Sequence, residues 1–266
     1  KEKKNIELNI IPPILWFVPE MEGLFSKSPS TRRGFIDRIS YSLDPLILNS
    51  LNEYNKAIKE RSNIIQNASI DYDWLDKIEQ VIAKAGLEII KKRNKCIQML
   101  NMTFKEITLQ KKQINCCEMS IVGDLEKKIN YENFDFFLKQ YIKILEKSRE
   151  VDKFRGGCSI GPHKSDFNVI FSKNGLDASL CSTGQQKEII LSILLCQSYI
   201  LLNDKKTRPI ILLDEICSHL DENTRSLLIY LIEWLQIQVM MTGTDQNHFS
   251  FLLKKAKFFS VKDGNI

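Results

Sequence analysis

The chain has 266 residues, 43% of them hydrophobic and 27% charged, the balance of an ordinary globular protein able to bury a sizeable core in one or two domains. A net charge of +5 is compatible with a polyanionic partner but too small to argue for one unaided. No apolar run reaches the roughly 18 residues that a spanning helix needs, and no signal-peptide pattern opens the chain. The seven cysteines form no C-x-x-C pair and an odd number cannot all be bridged. A reduced cytoplasmic setting, away from membranes, is the simpler expectation.

Asn5 to Val18 is apolar around Pro12-Pro13 and reads as one or two strands with a break, because proline cannot donate to a sheet ladder. Pro19 to Ser30 reads as a loop, after which Thr31-Arg32-Arg33 precedes a long helical pattern. Ile47, Leu51, Tyr54, Ile58 and Ile65 recur on one helix face. Asn67-Ala68-Ser69 interrupts it, and a second run from Trp74 through Ile78, Val81 and Ala85 to Leu100 predicts an antiparallel helical hairpin with a coiled-coil-like seam. Phe104 to Ile114 alternates weakly as a strand. Leu125 to Arg149 reads as a further helix, striped by Phe134, Phe137, Leu138, Tyr141, Ile142 and Leu145, and Gly156-Gly157 closes the segment. Phe167 to Phe171 with the turn Lys173-Asn174-Gly175 predicts a hairpin.

The next stretch carries the chemistry. Ser182-Thr183-Gly184-Gln185 opens an apolar-periodic helix with hydroxyl caps, and a helix N-terminus of this kind favours anions through its exposed N–H groups and dipole. Ile210-Ile211-Leu212-Leu213-Asp214-Glu215 predicts a buried parallel strand whose carboxyl end delivers two carboxylates, the place where α/β sheets receive ligands. Read alone, each segment is also satisfied by a capped core helix and a buried strand. Asp221-Glu222-Asn223 caps a helix through Leu227, Leu228, Leu231, Ile232 and Leu235, Gln238 to Met241 is a strand, and Phe258 to Val261 is expected as a last one.

Taken in order, these motifs resemble the signature, Walker B and D-loop of the ABC-type ATPases, and within that superfamily they resemble the RecF family. The carriers are Gly161-Pro162-His163-Lys164-Ser165-Asp166-Phe167, Ser182-Thr183-Gly184-Gln185-Gln186, Leu213-Asp214-Glu215 with Ser218-His219-Leu220-Asp221, and Met241-Thr242-Gly243-Thr244-Asp245. Pro19-Glu20 and Thr31-Arg32-Arg33-Gly34-Phe35-Ile36-Asp37 match as well. The resemblance implies an α/β ABC-type ATPase head, P-loop NTPase-like, split by an inserted helical arm: head over residues 1–36, arm over 37–155, head again over 156–266. It implies ATP with Mg²⁺ as cofactors, Asp214 as metal ligand, Glu215 as the group that polarises the attacking water, and Ser182, Thr183, Gly184, Gln185 and Asp221 as nucleotide contacts. ATP would be sandwiched in a homodimer that binds single-stranded or gapped DNA beside the RecO and RecR proteins, in replication, recombinational repair and the SOS response.

Several family features are missing from the sequence. No G-x-x-x-x-G-K-[ST] loop stands in it; Gly156 and Gly161 have the spacing, but Pro162-His163 occupy the place of the lysine and hydroxyl. The chain starts at Lys1 rather than methionine, and the expectation is that the phosphate-binding loop precedes it in a longer protein. No glutamine follows Ile14-Leu15-Trp16-Phe17, and Thr242 stands where related ATPases carry a histidine, so any sensor of the γ-phosphate there would be a hydroxyl or a backbone group. His163, His219 and His248 show no zinc spacing. His163-Lys164 could meet a phosphate or simply build a turn. Arg32-Arg33, Lys91-Lys92-Arg93 with Lys95, and Lys111-Lys112 are candidate DNA phosphate contacts, or solvated faces. A non-catalytic DNA- or partner-binding remnant is the alternative that the missing loop supports; another SMC-like ATPase fits less well with the short arm and the Gly161-Pro162-His163-Lys164 motif.

Overall fold

The computed structural model describes residues 12–111, 114–115, 117–128, 133–216, 222–253 and 255–261. Strand β1 (Ile14–Phe17) is the described part of the first apolar segment. The segment after it is not a plain loop: 3-10 turns form over Pro19–Met21 and Leu24–Ser26, and helix α1 (Pro29–Leu43) begins before the double arginine. Ser28 caps it by accepting the Thr31 N–H, Pro29 fits the first turn, and Pro45 disfavours helical backbone at Asp44.

Helices α2 (Ile47–Gln66) and α3 (Tyr72–Gln110) pair antiparallel, as the contacts of Glu60 with Trp74, Arg61 with Glu79 and Asp44 with Lys92 register. Asp71 starts α3 by accepting the Trp74 N–H at 2.9 Å. The expected strand from Phe104 is instead the end of this 39-residue helix. Leu100, Phe104 and Ile107 are buried at helical spacing, and this burial outweighs the weak two-residue alternation of the same segment. Strand β2 (Cys117–Val122) had no clear sequence signal. Helix α4 (Phe134–Arg155) starts nine residues later than expected, capped by Asn133, and ends at Gly156 in the left-handed region at φ 73.

Strands β3 (Asp166–Phe171) and β4 (Leu176–Asp177) form the expected hairpin, with β2 antiparallel to β3 on its other side. Helix α5 (Thr183–Asn203), strand β5 (Ile210–Leu213), helix α6 (Glu222–Glu233) and strand β6 (Gln238–Met241) follow in the described residues. Phe258–Val261 is not a strand; a 3-10 segment over Gln246–Leu252 precedes it, and Phe258 packs edge-on against Phe249 instead of joining the sheet.

The second sheet is parallel throughout, in the order β1-β5-β6. Leu15, Ile211 and Val239 share one row, and Trp16, Leu212 and Met240 the next, facing opposite sides. The expectation of a buried strand holds for one face only, since Ile211 and Leu213 are buried while Leu212 and Met240 are exposed. On the buried side lies α5, which is buried on nearly every face from Gln186 to Leu201.

Two apolar clusters result. One gathers β1, α1, the β-hairpin, α5, β5 and α6; the other joins α2, the first half of α3 and α4 around Tyr54, Ile82, Ile90, Tyr141 and Leu145. Helix α3 belongs to both, contributing Ile78 to Ile90 to the second and Cys96 to Ile107 to the first. Each buried leucine or isoleucine contributes about 1.5–3 kcal/mol, so one continuous helix couples the two cores mechanically.

Candidate functional site

The carboxyl ends of β1, β5 and β6 lie side by side, and there the chain places Asp214, Glu215 and Thr242. The Asp214 N–H donates to the Phe17 carbonyl at 2.9 Å, and the Thr242 N–H donates to the Leu213 carbonyl at 3.0 Å, extending both ladders one residue past the strands. The Thr242 hydroxyl donates to Asp214 Oδ1 and accepts the Glu215 N–H at 3.2 Å. Glu215 itself has φ 49. A left-handed residue other than glycine costs about 1–2 kcal/mol, a strain that clusters at functional turns. Asp214 is exposed and Glu215 half-buried, so both can meet a ligand at the sheet's edge.

The N-terminus of α5 is a second, separately held feature. Ser182 and Gln185 form a reciprocal capping box: Ser182 Oγ accepts the Gln185 N–H and Gln185 Oε1 accepts the Ser182 N–H at 3.0 Å. Ser182 and Thr183 are exposed and Gly184 carries no side chain, so solvent reaches this helix start. Gln186 turns the other way. Its side chain accepts the Phe25 N–H, and donates to Ser26 Oγ and the Cys181 carbonyl, tying the helix start to the turn after β1. Lys187 pairs with Glu22 at 2.8 Å in the same joint. The loop that has no glutamine of its own is thus gripped by one from α5, a pairing across 161 residues that no local pattern announces.

Ser182 to Gln185 stand at the start of α5 and Asp214-Glu215 at the end of β5, so the two groups are held by different elements. Ser218 to Asp221, and with them the nucleotide contact expected of Asp221, lie outside the described residues. His163 is a structural turn residue: Nδ1 meets the Tyr54 hydroxyl at 2.7 Å and Nε2 the Cys158 carbonyl at 2.9 Å. Burial holds its imidazole below the usual histidine range. Gly161, at φ 149, is needed here because a Cβ would fall 2.0 Å from the Tyr54 hydroxyl. Gly156 caps α4, so the glycine pair that mimics a phosphate loop builds a helix end and a buried turn.

The basic clusters are largely engaged. Arg32 forms a two-pronged pair with Asp166, and Arg33 donates to the Ser165 carbonyl at 2.6 Å. Arg93 is buried, forked onto Asp37 with a further bond to the Pro162 carbonyl, and Lys92 pairs with Asp44. Arg32, Arg33 and Arg93 bind the family motifs to one another, and Lys92 ties α3 to Asp44. Lys91 and Lys95 remain exposed on α3, and Lys111 lies over the Tyr230 and Trp234 rings.

Asp214 is one exposed carboxylate, and no group of three potential metal ligands exists among the described residues. That donor set does not make a resident metal site. It fits Mg²⁺ arriving with a polyphosphate, since this ion keeps most of its water and takes only one or two carboxylates. Cys96, Cys117, Cys158, Cys181 and Cys196 are buried thiols, and no described helix is long and apolar enough to cross a membrane.

Comparison with known proteins agrees with the motif order. No protein-family model matches the chain. Over 253 residues it is 33% identical to the DNA replication and repair protein RecF of Rhizobium etli, covering 95% of this chain and 67% of that protein. The Rickettsia prowazekii RecF is 35% identical over 257 residues, or 97% of this chain and 70% of the relative. A solved structure of the recombination mediator RecF with ATP, of the RecFOR pathway, superposes with a TM-score of 0.73 at 23% identity, covering 88% of this chain and 62% of that one. That likeness concerns the fold alone, an α/β arrangement with helical additions. The chain therefore spans about two-thirds of the length of its relatives, and it belongs to the RecF family of DNA replication and repair proteins.

Proposed function

We propose that this chain forms the signature- and Walker B-bearing part of an ATP-dependent DNA repair protein. The observation that carries the reading is the pair Asp214-Glu215 at the carboxyl edge of a parallel sheet, fixed there by backbone bonds to β1 and by Thr242. Asp214 would hold a nucleotide-borne Mg²⁺, which when bound neutralises charge on the transferring phosphate; Glu215 would orient and polarise the attacking water. Within residues 37–155, α2, the first half of α3 and α4 would act as the arm inserted in the head, while Ile39, Leu43 and the buried apolar residues from Cys96 to Met119 pack in the first core.

Ser182, Thr183, Gly184 and Gln185 start a different element from the strand that carries the carboxylates, and in this reading they serve the nucleotide of a second copy. Asp221 joins them in this reading. ATP then closes a homodimer, and the dimer grips single-stranded or gapped DNA. RecO and RecR are the proposed partners in recombination, replication and the SOS response, in the cytoplasm.

The test is Ser182→Arg in a chain completed with the N-terminal segment of the Rickettsia prowazekii relative. A bulky cation should abolish ATP-dependent dimerisation, seen by light scattering, while leaving nucleotide binding to the monomer intact. Normal dimerisation of that variant would return Ser182–Gln185 to the role of a capped core helix.

A further inference from the structure

We propose that Thr242 is the positioning residue of the Asp214-Glu215 site, its single hydroxyl setting both acidic residues at once. The proposal rests on the ATPase reading above and extends it to a residue that touches neither nucleotide nor water in that scheme. A hydroxyl has one hydrogen to give, and here it goes to Asp214 Oδ1. A lone pair of the same oxygen takes the Glu215 N–H at 3.2 Å. The Thr242 backbone cannot drift, because its own N–H donates to the Leu213 carbonyl at 3.0 Å and continues the pairing of β5 with β6.

The consequence is geometric. Glu215 leaves the strand through a left-handed backbone conformation at φ 49, which an unsupported glutamate avoids. Its N–H bond to Thr242 holds that conformation, and the same oxygen restrains one side of the Asp214 carboxylate. The Asp214 carboxylate and the Glu215 backbone are thereby both tied to the residue that ends β6. Where related ATPases place a histidine, this chain has a hydroxyl that acts on the acidic pair.

Thr242→Val keeps the β-branched shape and removes both bonds; Thr242→Ser keeps the hydroxyl. Because Thr242 is exposed, neither change should disturb folding, and Thr242→Ala serves as a second deletion of the hydroxyl. On the chain as it stands, amide hydrogen exchange at Glu215 should rise at least about tenfold in Thr242→Val and Thr242→Ala and stay near wild type in Thr242→Ser. In the N-terminally completed chain, Thr242→Val should lower kcat for ATP on the order of a hundredfold with KM little changed, and Thr242→Ser should restore it. Glu215→Gln separates the two ideas. Wild-type turnover in Glu215→Gln overturns the ATPase reading and this proposal's role in it. An inactive Glu215→Gln beside a fully active Thr242→Val, or unaltered exchange at Glu215 in Thr242→Val, overturns the proposal alone.

Discussion

Arg61 is fully buried between α2, α3 and α4, and its removal should show how the helical part is held together. Nε donates to Glu79 at 2.8 Å, Nη1 to Asp152 at 2.6 Å, and Nη2 to the Leu145 carbonyl at 2.8 Å and Ser148 Oγ at 3.2 Å. In Arg61→Met, Glu79 keeps Arg149 as a cation, but Asp152 keeps only neutral donors, Ser148 Oγ and the Ser159 N–H. Breaking a buried pair by deleting one partner costs about 3–5 kcal/mol. For a chain of this size that corresponds to a fall in melting temperature on the order of 10 °C. The sign with pH is set by Asp152. Burial alone would raise its pKa, yet the bonds from Ser159, Ser148 and Arg61 outweigh it and leave the value below the ordinary carboxylate range. A depressed folded-state pKa gives stability that is present above the unfolded value of about 3.9 and lost as pH falls through the folded one. Without Arg61 two of the influences that lower this pKa are lost, its hydrogen bond and its charge, so less of that stability is present at neutral pH. Urea denaturation followed by circular dichroism should therefore find the gap between the two proteins large at pH 7 and narrowing as pH falls below about 3.9. A gap under about 1 kcal/mol at pH 7, or one that does not change with pH, would refute the assignment of Arg61 as the buried charge keystone.

Gly161→Ala should destabilise the turn by about 1–3 kcal/mol, because its Cβ would overlap the Tyr54 and Tyr141 hydroxyls; a melting temperature equal to wild type would show that these rings yield freely. The chain by itself should bind ATP more weakly than about 1 mM, since no phosphate loop stands in its sequence; micromolar binding by calorimetry would contradict that reading. In the completed chain, Glu215→Gln should retain ATP binding and slow hydrolysis by about 10²–10⁴, with rapid turnover removing Glu215 from the water-activating role. Arg93→Ala should leave DNA affinity and its salt dependence little changed while lowering stability, because Arg93 is spent on Asp37 and Pro162; a loss of DNA binding with unchanged stability would restore it as a phosphate contact.

What the sequence determined was local and periodic. The capping box at Ser182 and Gln185, the apolar run ending in Asp214-Glu215, the β3–β4 hairpin and the strand Gln238–Met241 are each set by neighbours within a few residues, and each stands where expected. The order of these motifs also carried the family. The tertiary structure decided what depends on distant partners. Phe104 and Ile107 could alternate as a strand or repeat as a helix, and burial against the first core chose the helix. Phe258 had the composition of a strand but met the Phe249 ring instead of a sheet edge. Arg32, Arg33 and Arg93 read as a charged surface until Asp166, Ser165 and Asp37 were brought beside them from up to 134 residues away. Thr242 acquired its role in the same way. A hydroxyl's partners are chosen by whichever chain segments folding places within hydrogen-bond reach, and residues 214 and 242 become neighbours only when two strands pair in parallel across a helix.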